Sequence, residues 1–368
     1  MTKTRVGVLF GGKSAEHEVS LQSAKNVIEA MDQEKYEIVL IGMDKQGRWY
    51  LKEDSDFLLN ATDPTQIKLS KSDDEVALIL GDGAEQLINI NDFKILEELD
   101  VVFPILHGPY GEDGTVQGLF KLVDLPFVGA DVLGSAVGMD KDVMKRLLRD
   151  AGIPIADFLT YHHIEQEKID FAEIKDRLDM PVFIKPANLG SSVGISKAAN
   201  QAEFEKAIEL AFQFDNKIII EEAIEGREIE CSVLGNQKPI ASVPGEILPQ
   251  EGFYSYEAKY IDESGAALEM PAKLADEMVK KVQECAVESF KVLCCQGMAR
   301  VDVFVQEDQK IIVNEINTIP GFTKISMYPK LWELSGISYS ELIDKLIELA
   351  IERYNNEKKL KTSFEFEN

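Results

Sequence analysis

The sequence predicts a mixed α/β (α+β) protein built as three lobes, and three observations carry that expectation. The chain opens on a strand–helix–strand pattern. Its middle alternates glycine-rich turns with short apolar runs, and its last third holds two adjacent strands followed by a long amphipathic helix. The length agrees: 368 residues, 45% hydrophobic and 28% charged, suffice for two or three domains around separate cores.

In the first lobe, expected over residues 1–129, "RVGVLF" reads as a short apolar strand. Leu21, Ala24, Val27, Ile28 and Met31 recur at helical spacing, and "YEIVLIGMD" is the second strand. A polar, turn-rich stretch from Lys45 to Asn91 contains a hairpin candidate, "LGDGAEQLINI". "LDVVFPILHG" is a buried strand running into a glycine-rich loop, and "PFVGA" closes the lobe near Gly129.

The second lobe, expected over residues 130–224, opens on "SAVGMDKDVMKRLLRDAGIP". Asp140 is placed there to cap a helix that stops at Gly152 and Pro154. "PVFIKPANLGSSVGISKA" has strand–loop–strand character and "QAEFEKAIELAFQFD" is amphipathic. "KIIIEEAIEGREIECSVLG" supplies two strands about a charged turn, across the boundary with the third lobe, residues 225–368. That lobe holds an irregular stretch, "GEILPQEGFYSYEAKYIDESG", and the helix "PAKLADEMVKKVQECAVESFKVLCC". The strands "ARVDVFVQ" and "KIIVNEIN" and a last helix, "SYSELIDKLIELAIERY", complete it. There is neither an internal repeat nor a low-complexity tract.

The charge balance narrows the partners. With 39 Lys+Arg against 65 Asp+Glu the net charge is −26, which repels phosphate backbones and anionic lipid. Nucleic acid and membrane are therefore not expected partners, although a local cluster of lysines can still take a small anion. No apolar run approaches a membrane span, and "MTKTRVGVLFGG" lacks a secretory apolar region, so a cytoplasmic location is expected. Cys231, Cys285, Cys294 and Cys295 form no C-x-x-C pair, and no histidine stands at metal-ligand spacing from them. Reduced thiols are expected, and zinc is not.

"GVLFGGKS", Gly7 to Ser14, matches the phosphate-cradling pattern G-x-x-x-x-G-K-[ST] letter for letter. The context contradicts it. Val8, Leu9 and Phe10, which should form the loop, are the core of a strand. Backbone N–H groups paired in a sheet cannot face phosphate. What remains is a glycine turn, Gly11 and Gly12, with Glu16 ahead of a helix at the carboxyl end of the first strand, where ligands of open α/β sheets bind. Taken alone, Glu16 also fits a helix-start acid favoured by the dipole.

The chemistry concentrates elsewhere. Side chains alternate along a strand, so Arg300 and Asp302 share one face of "ARVDVFVQ", as do Glu315 and Asn317 on "KIIVNEIN". Paired as a hairpin, the two strands converge these groups on one patch. Carboxylates and an amide oxygen suit Mg²⁺ bridged to substrate phosphates, and Arg300 would face developing negative charge. An exposed salt-bridged hairpin face is the other reading. In "FIKPANLGSSVGI", a strand presents Lys185 and a loop of Gly190, Ser191, Ser192 and Gly194 follows, small enough to close over phosphates. Lys141 offers a second cation. "IIIEEAIEGREI" offers one acid for an adenine amino group and another, Glu228, for ribose hydroxyls.

With these residues in place, the chain resembles the D-alanine–D-alanine ligases of the ATP-grasp superfamily over nearly its whole length. The stretches that carry the likeness are "GGKSAEHEVSLQSA", "LHGPYGEDGTVQG", "GMDKDVMKRLLRDAG", "KPANLGSSVG", "YSYEAKY", "MARVDVF" and "NEINTIPGFTKISMYPKLW". The resemblance implies a three-lobed ATP-grasp fold with a Rossmann-like N-terminal substrate lobe and ATP between the sheets of the other two. One D-alanine carboxylate attacks the γ-phosphate. The amine of a second D-alanine attacks the resulting acyl phosphate, yielding the dipeptide of peptidoglycan precursors.

The same resemblance implies residue roles. Asp302, Glu315 and Asn317 would bind two Mg²⁺, for which Mn²⁺ can substitute. Lys141 and Lys185 would hold phosphates, Glu221 and Ile224 would meet adenine, and Glu228 ribose. Glu16, with His107 near it, would take the ammonium of the first D-alanine. Arg300 and the Gly321 amide would stabilise the tetrahedral oxyanion, and Ser326 would take the second carboxylate. Lys259 would reach the transferred phosphoryl group from a closing loop, and Tyr260 would form a triad with Glu16 and Ser191. Relatives that make D-alanyl-D-lactate lack the tyrosine matching Tyr260, so the dipeptide is the expected product. A homodimer is implied by the family. A D-lactate ligase, another carboxylate–amine ligase of this fold and a catalytically inactive nucleotide sensor are the alternatives.

Overall fold

A computed structural model describes residues 3–52, 57–60, 63, 66–70, 72–80, 86–96, 98–249, 266–361 and 363, and places most strands in three sheets. The first sheet holds β1 (Thr4–Gly11), β2 (Tyr36–Met43), β3 (Trp49–Lys52), β6 (Glu75–Leu78), β7 (Leu87–Asn89) and β8 (Val101–Ile105). Its order is β7-β6-β3-β2-β1-β8. A separate ribbon of β4 (Leu58–Leu59) and β5 (Lys68–Leu69) lies between β3 and β6 in the chain. β1 runs parallel to both β2 and β8, as a strand–helix–strand opening requires. The expected hairpin is β6–β7, although residues 81–85 of its turn lie outside the described residues.

The first helix, α1 (His17–Ala30), buries Leu21, Ala24 and Val27 against β1, while Met31 caps its end. Val8, Leu9 and Phe10 are fully buried within β1, so the phosphate-loop match at Gly7–Ser14 is accidental. Lys13 instead rests 4.8 Å from the Tyr110 ring centroid.

Four helices lead into and cover the middle of the chain: α2 (Thr115–Leu122), α3 (Val132–Met139), α4 (Lys141–Asp150) and α5 (Phe171–Leu178). Asp140 caps α4 as expected, accepting from the Val143 amide at 3.1 Å, and the helix gives out before Gly152 at φ +77°. The second sheet is antiparallel, with β9 (Phe158–His162), β10 (Val182–Pro186), β11 (Ser196–Ala198) and β12 (Lys217–Glu222) in the order β11-β10-β12-β9. α5 and α6 (Gln201–Ala211) bury Ile174, Leu178, Phe204 and Ile208 on one face, which leaves the other face for a ligand.

The third sheet contains β13 (Arg227–Gly235), β14 (Ile240–Ala241), β15 (Gly245–Pro249), β16 (Ala266–Glu269), β17 (Gly297–Val305) and β18 (Ile311–Asn317). The two strands about the charged turn, β12 and β13, therefore belong to different sheets. The irregularity expected from Gly245 is corrected for its first five residues, which pair with β13 and β16; residues 250–265 lie outside the described residues. α7 (Asp276–Val292) backs this sheet through Met278, Val282, Ala286 and Phe290.

After β18 come α8 (Met327–Leu334) and α9 (Tyr339–Glu357). Leu342, Ile343, Leu346 and Ile347 of α9 share one core with Val6, Val8 and Leu21, so the end of the chain packs on its beginning. Arg353 fastens the junction, its buried guanidinium donating to the carbonyls of Gly129 and Phe127. No described helix is long and apolar enough to cross a membrane.

Candidate active site

β17 and β18 pair in the expected hairpin, with Arg300 opposite Asn317 and Asp302 opposite Glu315. The register shifts just after Asp302, an irregularity of the kind that re-aims side chains beside active sites. Arg300 forks onto Asp302, Nε at 2.8 Å and Nη2 at 2.7 Å, and Asn317 Nδ2 donates to Asp302 Oδ2 at 3.0 Å. A residue the sequence reading missed joins them. Glu230 on β13 stands opposite Asp302 and lies 3.0 Å from Arg300 Nε. Alternation from Glu228 would have placed it on the same face.

Between the second and third sheets lies a cleft of about 400 Å³. Its walls bring together Lys185, Glu221, Ile224, Glu228 and Glu315, all singled out from sequence, with Phe183, Phe304 and Asn314, which were not. Lys185 Nζ donates to Glu221 Oε1 at 2.9 Å and reaches Asn314 Oδ1 at 3.4 Å. Behind Glu221, the fully buried Lys145 lies 3.4 Å from Oε2. Burial pushes the Glu221 carboxyl up, but Lys145 and Lys185 outweigh it and hold the group below the ordinary carboxylate range. Lys145 sits four residues after Lys141 on one face of α4, a spacing that could have revealed it. Lys141 donates to the Leu189 carbonyl and stands 4.0 Å from Glu315 Oε2; burial lowers its pKa.

The loop after β10 holds Ser191 at φ 53° and Ser192 at φ 60°, a left-handed backbone that costs non-glycine residues and persists where function demands it. Ser191 Oγ donates to Glu16 Oε1, joining this loop to the start of α1. Glu16 is buried, and Gly108 beside it has φ +75°, a left-handed backbone that would strain any other residue there.

A second, smaller cavity of about 70 Å³ opens on the far side of Glu315. Glu16, His107, Arg300, Asn317, Gly321 and Ser326 line it, together with Glu112 and Glu230. Ser326 begins α8 and accepts from the Thr323 amide at 2.9 Å; its Oγ would lie 2.8 Å from a Cβ at position 321. His107 lines the wall, but its ring nitrogens are turned to the protein: Nδ1 to the Ile319 carbonyl at 3.0 Å, Nε2 to Ser23 Oγ at 3.2 Å. Burial pushes its pKa down to about 4. Burial and the neighbouring Glu16 raise that of Glu112. Lys259 and Tyr260 lie outside the described residues.

Among the described residues no cluster of three or more His, Cys, Asp or Glu forms a closed metal cage. The donors present at Asp302, Glu315 and Asn317 are two carboxylates and an amide. That set suits Mg²⁺, which keeps part of its shell for water and substrate phosphate.

Two antiparallel sheets closing on a lysine-lined cleft define the ATP-grasp class of ligases. Family models bear on the chain directly: "D-ala D-ala ligase N-terminus" matches residues 5–130 and "D-ala D-ala ligase C-terminus" residues 147–348. The D-alanine--D-alanine ligase of Shouchella clausii is 59% identical over 99% of both chains, and D-alanine--D-alanine ligase A of Escherichia coli (strain K12) is 53% identical over 99% of this chain and 100% of its own. Among solved structures, the D-alanine-D-alanine ligase of Coxiella burnetii superposes with a TM-score of 0.84 at 40% identity, covering 98% of this chain and 97% of its own. The VanG D-Ala:D-Ser ligase of Enterococcus faecalis gives the same score and identity over 95% and 100%. The chain belongs to the D-alanine–D-alanine ligase family.

Proposed function

We propose that the protein joins two D-alanines into D-alanyl-D-alanine for peptidoglycan precursor synthesis, converting ATP to ADP and phosphate. The observation that carries this reading is the place of Glu315, which lines both the nucleotide cleft and the small cavity. A phosphoryl group at the end of the cleft and a carboxylate in the cavity meet at that residue.

On this reading the roles are those the family resemblance implies, and the placement of the described residues supports them. Lys141 and Lys185 neutralise phosphates, Glu221 and Ile224 border the adenine, and Glu228 takes the ribose. Glu16 holds the first ammonium, braced by Ser191 and, in our reading, by Tyr260. The D-alanine carboxylate displaces ADP from the γ-phosphorus, giving an acyl phosphate. The second amine adds to its carbonyl carbon, an oxyanion forms facing Arg300 and the Gly321 N–H, and phosphate leaves as the amide closes. Ser326, at the N-terminus of α8, takes the second carboxylate, and Lys259 reaches the transferred phosphoryl group. Bound at Asp302, Glu315 and Asn317, two Mg²⁺ (or Mn²⁺) would neutralise charge developing on the phosphates. The lobes 1–129, 130–224 and 225–368, a homodimer and a cytoplasmic location complete the proposal.

The test is Mg-ATP-dependent phosphate release with D-alanine alone, then with D-alanine plus D-lactate or D-serine, with products identified by mass. D-alanyl-D-alanine as the main product is expected. The likeness to a D-Ala:D-Ser ligase makes D-serine the informative competitor at the second position. A preference for D-lactate or D-serine would move the chain to a neighbouring specificity. No release with any acceptor would favour a nucleotide sensor.

A further inference from the structure

The turn that carries Gly321 is held almost entirely by the other end of the chain. Ile319 N donates to Glu112 Oε1 at 3.1 Å, and Ile319 O accepts from His107 Nδ1 at 3.0 Å. One residue past Gly321 the chain is taken up again at Phe322, whose N donates to Ser23 Oγ at 3.2 Å and whose O accepts from Asn26 Nδ2 at 3.1 Å. Four backbone polar groups flanking Gly321 are thus satisfied by four side chains from α1 and the loop after β8, at least 200 residues away in sequence by the smallest separation, 207. Tyr339 Oη adds a second donor to Phe322 O at 2.8 Å.

The hydrogens assign themselves consistently along this path. Phe322 N–H donates to Ser23 Oγ, Ser23 O–H donates to His107 Nε2, and His107 Nδ1–H donates to Ile319 O. A neutral ring protonated on Nδ1 satisfies every partner. Burial, which holds the ring's pKa at about 4, keeps it in that form at neutral pH. Glu112 meanwhile spends its other oxygen on the Gly108 amide at 2.8 Å, tying the turn to the loop beside Glu16.

We infer that His107, Glu112, Ser23 and Asn26 are positioning residues that fix the Gly321 N–H against the reacting carbonyl, and that His107 acts through Ile319 rather than by touching substrate. The inference rests on the ligase reading above. An N–H donor serves an oxyanion only if its direction is set before the charge forms. A four-point hold on both sides of Gly321 sets it, and sets it relative to the lobe that carries Glu16.

The experiment begins with wild-type turnover of D-alanine; its absence would sink the ligase reading, while all later outcomes bear on the hold. Asparagine at 107 places an amide nitrogen near the position of Nδ1, and glutamine places one near Nε2. His107→Asn should therefore retain kcat within about threefold, whereas His107→Gln should lose roughly tenfold or more, part of the hundredfold range of an oxyanion donor. Glu112→Ala should lower kcat about a hundredfold with KM for ATP nearly unchanged, and Glu112→Gln should recover part of it. ADP affinity by calorimetry reports folding, since none of Ser23, Asn26, His107 and Glu112 lines its cleft. Should Glu112→Ala fail to bind ADP, Asn26→Ala decides, with a drop in kcat of roughly threefold or more expected. Glutamine outperforming asparagine at 107, a loss confined to KM for D-alanine, or an unchanged kcat in Asn26→Ala would overturn the inference.

Discussion

The nucleotide cleft is walled by lysines held in pairs with carboxylates, Lys185 on Glu221 at 2.9 Å with Lys145 behind it. The small cavity beyond Glu315 is walled by the carboxylates Glu16, Glu112 and Glu230, with Arg300 as its cation. Both walls hold more carboxylates than cations. The cleft sets Lys185 and Lys197 among Glu221, Glu222, Glu225, Glu228 and Glu315, so its proposed phosphates rely on local lysines, whereas the cavity's carboxylate excess suits an ammonium directly. A protein of net charge −26 can hold an anion here because Lys141 and Lys145 are buried and Lys185 half-buried, where solvent screens little. The two regions share only Gly190 and Glu315 among their described lining residues and should fail separately except there.

Glu315→Gln strikes both and should have the largest effect. It keeps the shape but removes a charge from the junction, and kcat should fall by roughly a thousandfold or more with the thermal midpoint little changed. Near-normal turnover at saturating Mg²⁺ would break the comparison at its centre. Lys185→Met and Glu16→Gln should then split the kinetic constants. The first removes a charge-assisted contact and should raise KM for ATP about ten- to a hundredfold, leaving KM for D-alanine nearly unchanged. Its fold should survive because Lys145 still balances Glu221. The second should raise KM for D-alanine by a similar factor and leave that for ATP alone. If both substitutions moved both constants together, the cavities would be one coupled site.

How much of this was legible depends on distance along the chain. Arg300, Asp302, Glu315 and Asn317 were visible because strand alternation and a short hairpin decide their meeting locally. Glu230 and Lys145 were within reach of the same periodicities, two residues from Glu228 and four from Lys141. The hold on Ile319 and Phe322 was not, since no local pattern tells that Ser23 or Glu112 will face a turn some two hundred or more residues later. Likewise, the amphipathic pattern of α9 announced a helix but not that its apolar face would complete the core of β1 and α1.

Acid should expose the difference between the cavity wall and the rest of the fold. His107 has a pKa near 4 in the folded protein against an ordinary 6.5. A base depressed on folding stabilises fully above its unfolded value, and that stability is lost as pH falls from 6.5 through 4. At one pKa unit per 1.36 kcal/mol the loss amounts to roughly 3 kcal/mol. Glu112, raised by burial and by Glu16, works with the opposite sign, so the readout is the difference between wild type and His107→Asn. Urea midpoints at pH 7 and pH 4.5 should converge for the two proteins as the pH drops. Parallel midpoints would mean that the ring is not buried neutral.

The smallest effect belongs to the loop whose letters most resemble a phosphate site. Gly11 N is already committed to Ser20 Oγ at 2.7 Å, and Gly12 O to His17 Nδ1 at 2.8 Å, so the turn's polar groups serve the start of α1. Lys13 lies over Tyr110 and is absent from the cleft lining. The Gly190–Gly194 loop differs because its backbone is held in a costly left-handed form beside the lysines rather than spent on a sheet. Lys13→Ala should accordingly change KM for ATP and kcat by less than about twofold, the scale of an exposed cation–π contact. A collapse of ATP affinity in that variant, with Lys185 intact, would place a phosphate at the first strand and move the nucleotide out of the cleft between the sheets.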